Sequence, residues 1–131
     1  MAKSVNDQSA GRVAAGWHVM LAAAALYNLL IGGVALALGA GVDGRITGLL
    51  VGCFGLVYAL AAREPVRFAP MLWVGVIGKL GVIALMLPLV RAGAAALGTG
   101  LVLLGDGLFT VGFIAFLLLH RHGKEEFLAH G

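Results

Sequence analysis

Charge is the scarcest property of this sequence. Charged side chains make up 11% of its 131 residues, whereas a soluble domain typically has about 25%. Hydrophobic residues make up 61%, and the mean hydropathy is +1.03. A chain this apolar belongs in a lipid bilayer. Because a spanning helix needs about 20 apolar residues, the length leaves room for four spans with short connections and for no soluble domain.

Sequence motifs typical of catalytic, metal-binding or nucleic-acid-binding sites are also scarce. Cys53 is the only cysteine, so one chain cannot form an intramolecular disulfide or a cysteine-based metal or redox site. The sequence has no Ser/His/Asp or Cys/His set and no phosphate-binding loop. The basic residues are scattered and do not alternate with aromatic residues, which argues against nucleic-acid binding. We therefore expect no cofactor and no nucleic-acid partner, and an enzyme acting on a lipid or a quinone is the least favoured reading.

Histidines near the end of the chain are the weakest candidates for a site. A metal at the membrane surface could be bound by His120, His122 and His130, but their spacing in the sequence does not require such a site. Solvated side chains beside the membrane are the favoured interpretation, so we expect no metal site. Tyr27 and Tyr58 are interpreted as packing or interface residues.

Four apolar runs predict an all-α fold, a polytopic bundle of four transmembrane helices. Their expected bounds are about 17–40, 46–62, 71–89 and 101–120. The first run is longer than the apolar region of a signal peptide, so we expect an uncleaved helix. Polar residues 1–16 and 121–131 are expected to form a cytoplasmic N-terminal segment and a cytoplasmic tail.

Turn signals separate these runs. The segment 41–45 is rich in glycine and charged, and Pro65 and Pro70 disfavour helical geometry in the residues before them. The segment 91–100 is a connection of small residues. Pro88 lies in the last turns of the third run and predicts a kink or a stop there.

Basic residues in the flanks predict the orientation. One side of the predicted topology holds six of them: Lys3, Arg12, Arg63, Arg67, Arg121 and Lys124. The other side holds two, Arg45 and Arg91. By the positive-inside rule, both termini are expected to be cytoplasmic.

Three polar side chains lie deep inside the apolar runs: Asn28, Lys79 and Asp106. Lys79 is expected roughly 13 Å from the cytoplasmic face and Asp106 roughly 9 Å from the opposite face, at 1.5 Å of rise per residue. The long lysine stem and helix tilt can close the remaining gap in depth. We predict that Lys79 and Asp106 pair at the bilayer midplane, with Asn28 at the same level. Thr110, one turn after Asp106, is expected to donate to the carboxylate.

This predicted polar cluster has two interpretations. Intramembrane ionisable groups often mark an ion or substrate pathway, which suggests a carrier or channel for protons or a small polar solute. Alternatively, the ion pair fixes the register of four otherwise interchangeable helices, as in a non-enzymatic accessory or assembly component. The second interpretation is slightly favoured, because a relay usually shows several titratable groups in a line.

Glycines in the second run recur at helical spacing. Gly44, Gly48 and Gly52 are four residues apart, and Gly55 lies close to the same face. Small residues at this spacing let helices approach closely in a membrane. The alternative is that glycine is simply common in a chain with 21 of them. The first interpretation predicts a helix-packing face, in a homo-oligomer or in a larger membrane complex.

Several motifs together resemble a known group of proteins. They are Tyr27-Asn28, the segment from Gly55 to Arg67 with Tyr58 and Arg63-Glu-Pro65, the segment Gly75-Val-Ile-Gly-Lys79-Leu-Gly81, and Asp106 followed by Phe113. The pattern covers about residues 27–118 and is similar to small, uncharacterised four-helix membrane proteins of bacteria. Members of that group have Asp-Pro where this chain has Glu64-Pro65, and a Trp-Trp segment after the aspartate. The resemblance implies a multi-pass protein of the bacterial inner membrane and implies no reaction.

Overall fold

The computed structural model describes residues 13–129, and side chains over 13–120. Within that range the chain folds into four helices and no strand: α1 (Ala15–Leu38), α2 (Gly41–Arg63), α3 (Ala69–Arg91) and α4 (Leu97–Ala129). All four contain a stretch long and apolar enough to cross a membrane. The predicted all-α, four-helix membrane architecture is confirmed. Predictions for residues 1–12 and for the side chains of His122 and His130 lie outside the described residues.

The four helices form two compact units, each a helical hairpin. The first unit ends at Phe68 and contains α1 and α2, and the second begins at Ala69 and contains α3 and α4. Each unit pairs two helices that are consecutive in the sequence. Short connections favour this pairing, because they leave the second helix no route except back along the first.

The turn of the first hairpin is shorter than the sequence predicts. The second helix begins at Gly41, not near residue 46, so the predicted turn segment 41–45 forms its first helical residues. Gly41 has a φ of +67°, which glycine adopts without steric cost, and the chain reverses there. Asp43 in the first turn is favoured by the positive end of the helix dipole. The glycine-rich, charged segment 41–45 therefore forms the first turn of α2 and not a connection before it.

The third helix continues through Pro88 and ends at Arg91. Its end is a Schellman motif, in which the amide of Gly93 donates to the carbonyl of Val90 at 3.1 Å and the amide of Ala94 donates to that of Leu89 at 2.9 Å. Gly93 has a φ of +70°. The stop therefore comes from the left-handed glycine, and not from the proline.

The fourth helix is longer than expected at both ends. It begins at Leu97 instead of residue 101 and continues to Ala129, although the part with the length and composition of a membrane span is Leu97–His120. The predicted tail, from residue 121, therefore has a helical backbone as far as Ala129. Between residues 121 and 129 the sequence contains one glycine and no proline, so little in it ends a helix.

Each helix buries one narrow stripe and exposes the rest of its apolar surface. On α1 the buried residues are Leu21, Ala24, Ala25, Asn28 and Gly32. Exposed leucine, isoleucine and valine side chains occur on all four helices, for example Leu30 at 59% and Ile77 at 69% exposure. Exposed apolar surface on this scale suits contact with lipid tails and not with water.

Candidate functional site

The most polar spot in the second hairpin is an ion pair between Lys79 of α3 and Asp106 of α4. The Nζ of Lys79 donates to Oδ1 of Asp106 at 2.6 Å. The two side chains are only 7% and 12% exposed. A charge-assisted hydrogen bond of this length, shielded from solvent, is among the strong polar contacts available to a protein.

Both charges lie near the middle of their helices. The middle of α3 falls at residue 80, one position after Lys79. The middle of the candidate span in α4, Leu97–His120, falls between residues 108 and 109, so Asp106 lies about 4 Å from it at 1.5 Å of rise per residue. If each helix crosses a bilayer, neither charge is close enough to a helix end for its head group to reach water easily.

Helical spacing places both residues on the buried stripes of their helices. On α3 the buried residues are Leu72, Gly75, Val76 and Lys79, which recur every three or four positions. On α4 the sequence of buried residues is Leu103, Asp106, Thr110, Phe113, Phe116 and Leu117. Residues at this spacing share one helix face. The local sequence thus directs the lysine and the aspartate inward and not toward lipid.

Thr110 has a different partner from the one that the sequence suggests. Its Oγ1 donates to the backbone carbonyl of Asp106 at 2.6 Å, and not to the carboxylate. A threonine inside a helix commonly bonds the carbonyl four residues earlier, because its hydroxyl lies directly over that group. Thr110 is buried at 3% exposure and satisfies its own hydroxyl in this way, so it does not hold the carboxylate.

The energetics favour an intact pair over either charge alone. A lone lysine or aspartate at the centre of a spanning helix costs about 2.5–3.5 kcal/mol on insertion scales. Removing one partner of a buried pair typically costs about 3–5 kcal/mol, because an uncompensated charge stays behind. Among the described residues, no buried side-chain nitrogen or oxygen lacks a hydrogen-bond partner. Each charge of the pair therefore has an opposite charge beside it.

Asn28, the third predicted member of the polar cluster, lies in the first hairpin. It is 5% exposed and close to the middle of α1, which falls between residues 26 and 27. Lys79 and Asp106 belong to the second hairpin. The pairing of the lysine and the aspartate is thus a feature of one hairpin, and the convergence of Asn28 with them stays a prediction.

The glycines predicted to pack have unequal surroundings. A Cβ at Gly48 would meet backbone atoms of Ala35 and Leu36, and a Cβ at Gly55 would lie 2.9 Å from the backbone nitrogen of Leu29. At Gly52 the same atom would meet nothing within 4 Å, and at Gly44 only ordinary contacts at 3.4 Å or more. Of these four glycines, only Gly48 and Gly55 must lack a side chain for α1 and α2 to approach this closely.

One packing glycine, Gly32, was missed by the sequence reasoning. A Cβ there would lie 2.7 Å from the carbonyl oxygen of Gly48 and would also meet the backbone of Gly52. Gly32 follows Asn28 by four residues, so it lies on the same face of α1. The position of the buried asparagine was the signal that could have identified it.

No protein-family model, no curated protein and no solved structure matches this chain. The fold and the site alone therefore define the class of this protein. It is a four-helix protein with the composition of a multi-pass membrane protein, and its second hairpin contains a buried ion pair.

Proposed function

We propose that this protein is a non-enzymatic accessory or assembly component of a membrane, present as a homo-oligomer or within a larger membrane complex. In it the Lys79–Asp106 pair is a structural clamp that fixes α3 against α4. The observation that carries the proposal is the closed geometry of the pair, with a 2.6 Å contact and nearly complete burial of both side chains. A site that exchanges protons or solutes needs an aqueous route, and this burial argues against one.

The glycines beside the lysine support a partner helix. Among the described residues, nothing lies within 4 Å of a Cβ placed at Gly78 or at Gly81. Both glycines are exposed and lie beside Lys79 in the sequence. Small residues on an outward helix face allow another helix to approach closely in a bilayer. This face suits an oligomer or a complex better than a monomer surrounded by lipid.

The test is a double-mutant cycle on the pair. Lys79→Met and Asp106→Leu should each lower the thermal midpoint of the purified protein by several degrees, since about 3–5 kcal/mol is at stake when one buried charge is left alone. The double variant should recover most of that loss, because it leaves no unpaired charge. Thermal unfolding in detergent and size-exclusion chromatography give the stability and the oligomeric state.

Arg67→Met is the matched control. Arg67 pairs with Glu64 at 3.1 Å, but these side chains are 73% and 53% exposed, and exposed pairs contribute about 0–1 kcal/mol. Its removal should change the midpoint little. Unchanged stability in both single variants of the buried pair would contradict the clamp. A double variant that is stable but abolishes a proton or solute flux seen with the parent in liposomes would instead support the carrier.

A further inference from the structure

An open groove runs along the first hairpin between α1 and α2. Its mouth is formed by His18, in the first turns of α1, and by Arg63, at the end of α2. Its walls are apolar, with Val19, Leu26 and Leu29 among them. We call this feature the His18 groove. It has a charged entrance and an apolar interior.

The length of the groove corresponds to one leaflet of a bilayer. Its lining residues on α1 extend from His18 to Leu29, a distance of roughly 16 Å at 1.5 Å per residue. The hydrocarbon core of a bilayer is about 30 Å thick. A groove that starts at a helix end and stops halfway along the helix fits one acyl chain of a lipid in that leaflet. Ala22, Ala25 and Ala59 give the groove its depth because their side chains are short.

The mouth of the groove carries the positive charge of Arg63. Glu64 is held by Arg67 at 3.1 Å, and no described residue forms an ion pair with Arg63. Ala14, at the N-cap of α1, has no side-chain oxygen with which to accept from the first-turn amides. The amide of Trp17 donates to the carbonyl of Ala14 at 3.0 Å, so the amides of Ala15 and Gly16 are the first-turn donors for which α1 itself supplies no acceptor. Such amides at a helix N-terminus attract phosphate. An exposed guanidinium and this helix end therefore face the same headgroup region.

His18 fixes the geometry of the mouth. Its Nδ1 donates to the carbonyl of Ala62 at 2.5 Å, which joins the start of α1 to the end of α2. The carbonyl can only accept, so Nδ1 carries the hydrogen. Arg63 follows Ala62 directly and is thereby held beside the first turn of α1.

We propose that the His18 groove binds a phospholipid with an anionic headgroup. One acyl chain lies along the apolar walls, and the phosphate lies between Arg63 and the first turn of α1. Basic residues between transmembrane helices at the membrane surface are a recurring way of holding such headgroups. The site lies in the first hairpin and uses neither Lys79 nor Asp106. The lipid proposal can therefore be right or wrong independently of the clamp.

The headgroup is tested with the purified full-length protein in detergent, by native mass spectrometry with added phosphatidylglycerol or phosphatidylcholine of identical acyl chains. The parent should retain phosphatidylglycerol in preference. Arg63→Gln should weaken its binding about fivefold, the effect of one basic residue near a charged lipid, and should leave phosphatidylcholine unchanged. Arg45→Gln is the control, because Arg45 lies at the other end of α2 and does not line the groove. Equal retention of both lipids by the parent would overturn the proposal.

The acyl-chain site is tested by filling it. Ala22→Phe places a ring in the groove, whereas Ala23→Phe adds the same ring at an exposed neighbour that does not line it. Only Ala22→Phe should reduce the retention of phosphatidylglycerol, and both variants should keep the helical content of the parent. If Ala22→Phe instead changes the oligomeric state and leaves lipid retention intact, the groove holds a second copy of the chain and the lipid proposal is wrong.

Discussion

Two glycines of α2 share the same helical spacing but not the same surroundings. A Cβ at Gly48 would lie 2.6 Å from the backbone carbon of Ala35, and close to the backbone of Leu36. A Cβ at Gly52 would have open space around it. Backbone atoms cannot move aside as a flexible side chain can. A single methyl group should therefore separate α1 from α2 at one of these positions and be accepted at the other.

We predict that Gly48→Ala destabilises the protein, by about 1–3 kcal/mol as for other overpacked contacts. Thermal unfolding of the purified protein in detergent measures the effect. Gly52→Ala is the matched control, and it should be neutral or stabilising, since alanine favours a helix over glycine by up to about 1 kcal/mol. Equal effects of the two substitutions would show that the helices do not approach each other through Gly48.

The ion pair of the site could be predicted from the sequence, but the partner of Thr110 and the glycines that meet a backbone could not. Lys79 and Asp106 lie deep inside apolar runs, where hydrocarbon penalises a lone charge, which predicts that they pair. The structure puts the two side chains 2.6 Å apart. The partner of Thr110 could not be read in the same way, because a threonine hydroxyl has two acceptors within reach, a carboxylate and a carbonyl of its own helix. Nor does spacing tell which glycine meets a backbone, since that depends on the partner helix.

The end of α3 shows how one glycine defines the limit of an element. Gly93 adopts a φ of +70° and lets two amides reach back to the carbonyls of Val90 and Leu89. A residue with a side chain pays about 1–2 kcal/mol for this conformation. Pro88 also costs one hydrogen bond, because it has no N–H. The last turn of α3 thus depends on the Schellman motif more than an ordinary helix end does.

We therefore predict that Gly93→Ala frays the end of α3. Amide hydrogen exchange at residues 92–94 should become faster, and the free energy of unfolding should fall by about 1–2 kcal/mol. Gly98→Ala is the control, because Gly98 has no positive φ and a Cβ there would meet nothing within 4 Å. Unchanged exchange in Gly93→Ala would mean that the α3–α4 connection tolerates another conformation.

The number of helices could be predicted from the sequence, and their limits less well. Long apolar runs identify spans because hydrocarbon leaves a backbone few alternatives to the helix. The limits differ by several residues at α2 and α4, where the segment 41–45 and the residues after His120 are helical. Glycine and charge mark a turn in water, yet they are also compatible with a helix end outside the hydrocarbon. Sequence pattern alone does not separate these cases.

At the scale of the whole molecule, each hairpin has its own means of cohesion. In the first, backbones meet directly at Gly32 and Gly48. In the second, Lys79 and Asp106 supply a charged contact near the middle of the helices. Because lipid tails solvate leucine as well as another helix does, apolar side chains alone would not hold either pair together. Close backbone approach and buried polar contacts are the interactions that remain effective in a bilayer.

Basic residues in the flanks predict the orientation of the whole chain. The flanks on one predicted side carry six basic residues and those on the other carry two, so both termini should be cytoplasmic. The native cysteine is first removed by Cys53→Ala. Single cysteines are then introduced into exposed connections by Val66→Cys, between α2 and α3, and by Ala94→Cys, between α3 and α4.

A membrane-impermeant thiol reagent applied to intact cells should label the Ala94→Cys protein, and it should label the Val66→Cys protein only after the cells are opened. Ala40→Cys, in the α1–α2 connection, should behave like Ala94→Cys, because an odd number of spans separates each of them from the N-terminus. The reverse pattern would place Arg63 and the mouth of the His18 groove in the outer leaflet. Equal labelling of all three in intact cells would mean that the helices do not cross the membrane in series.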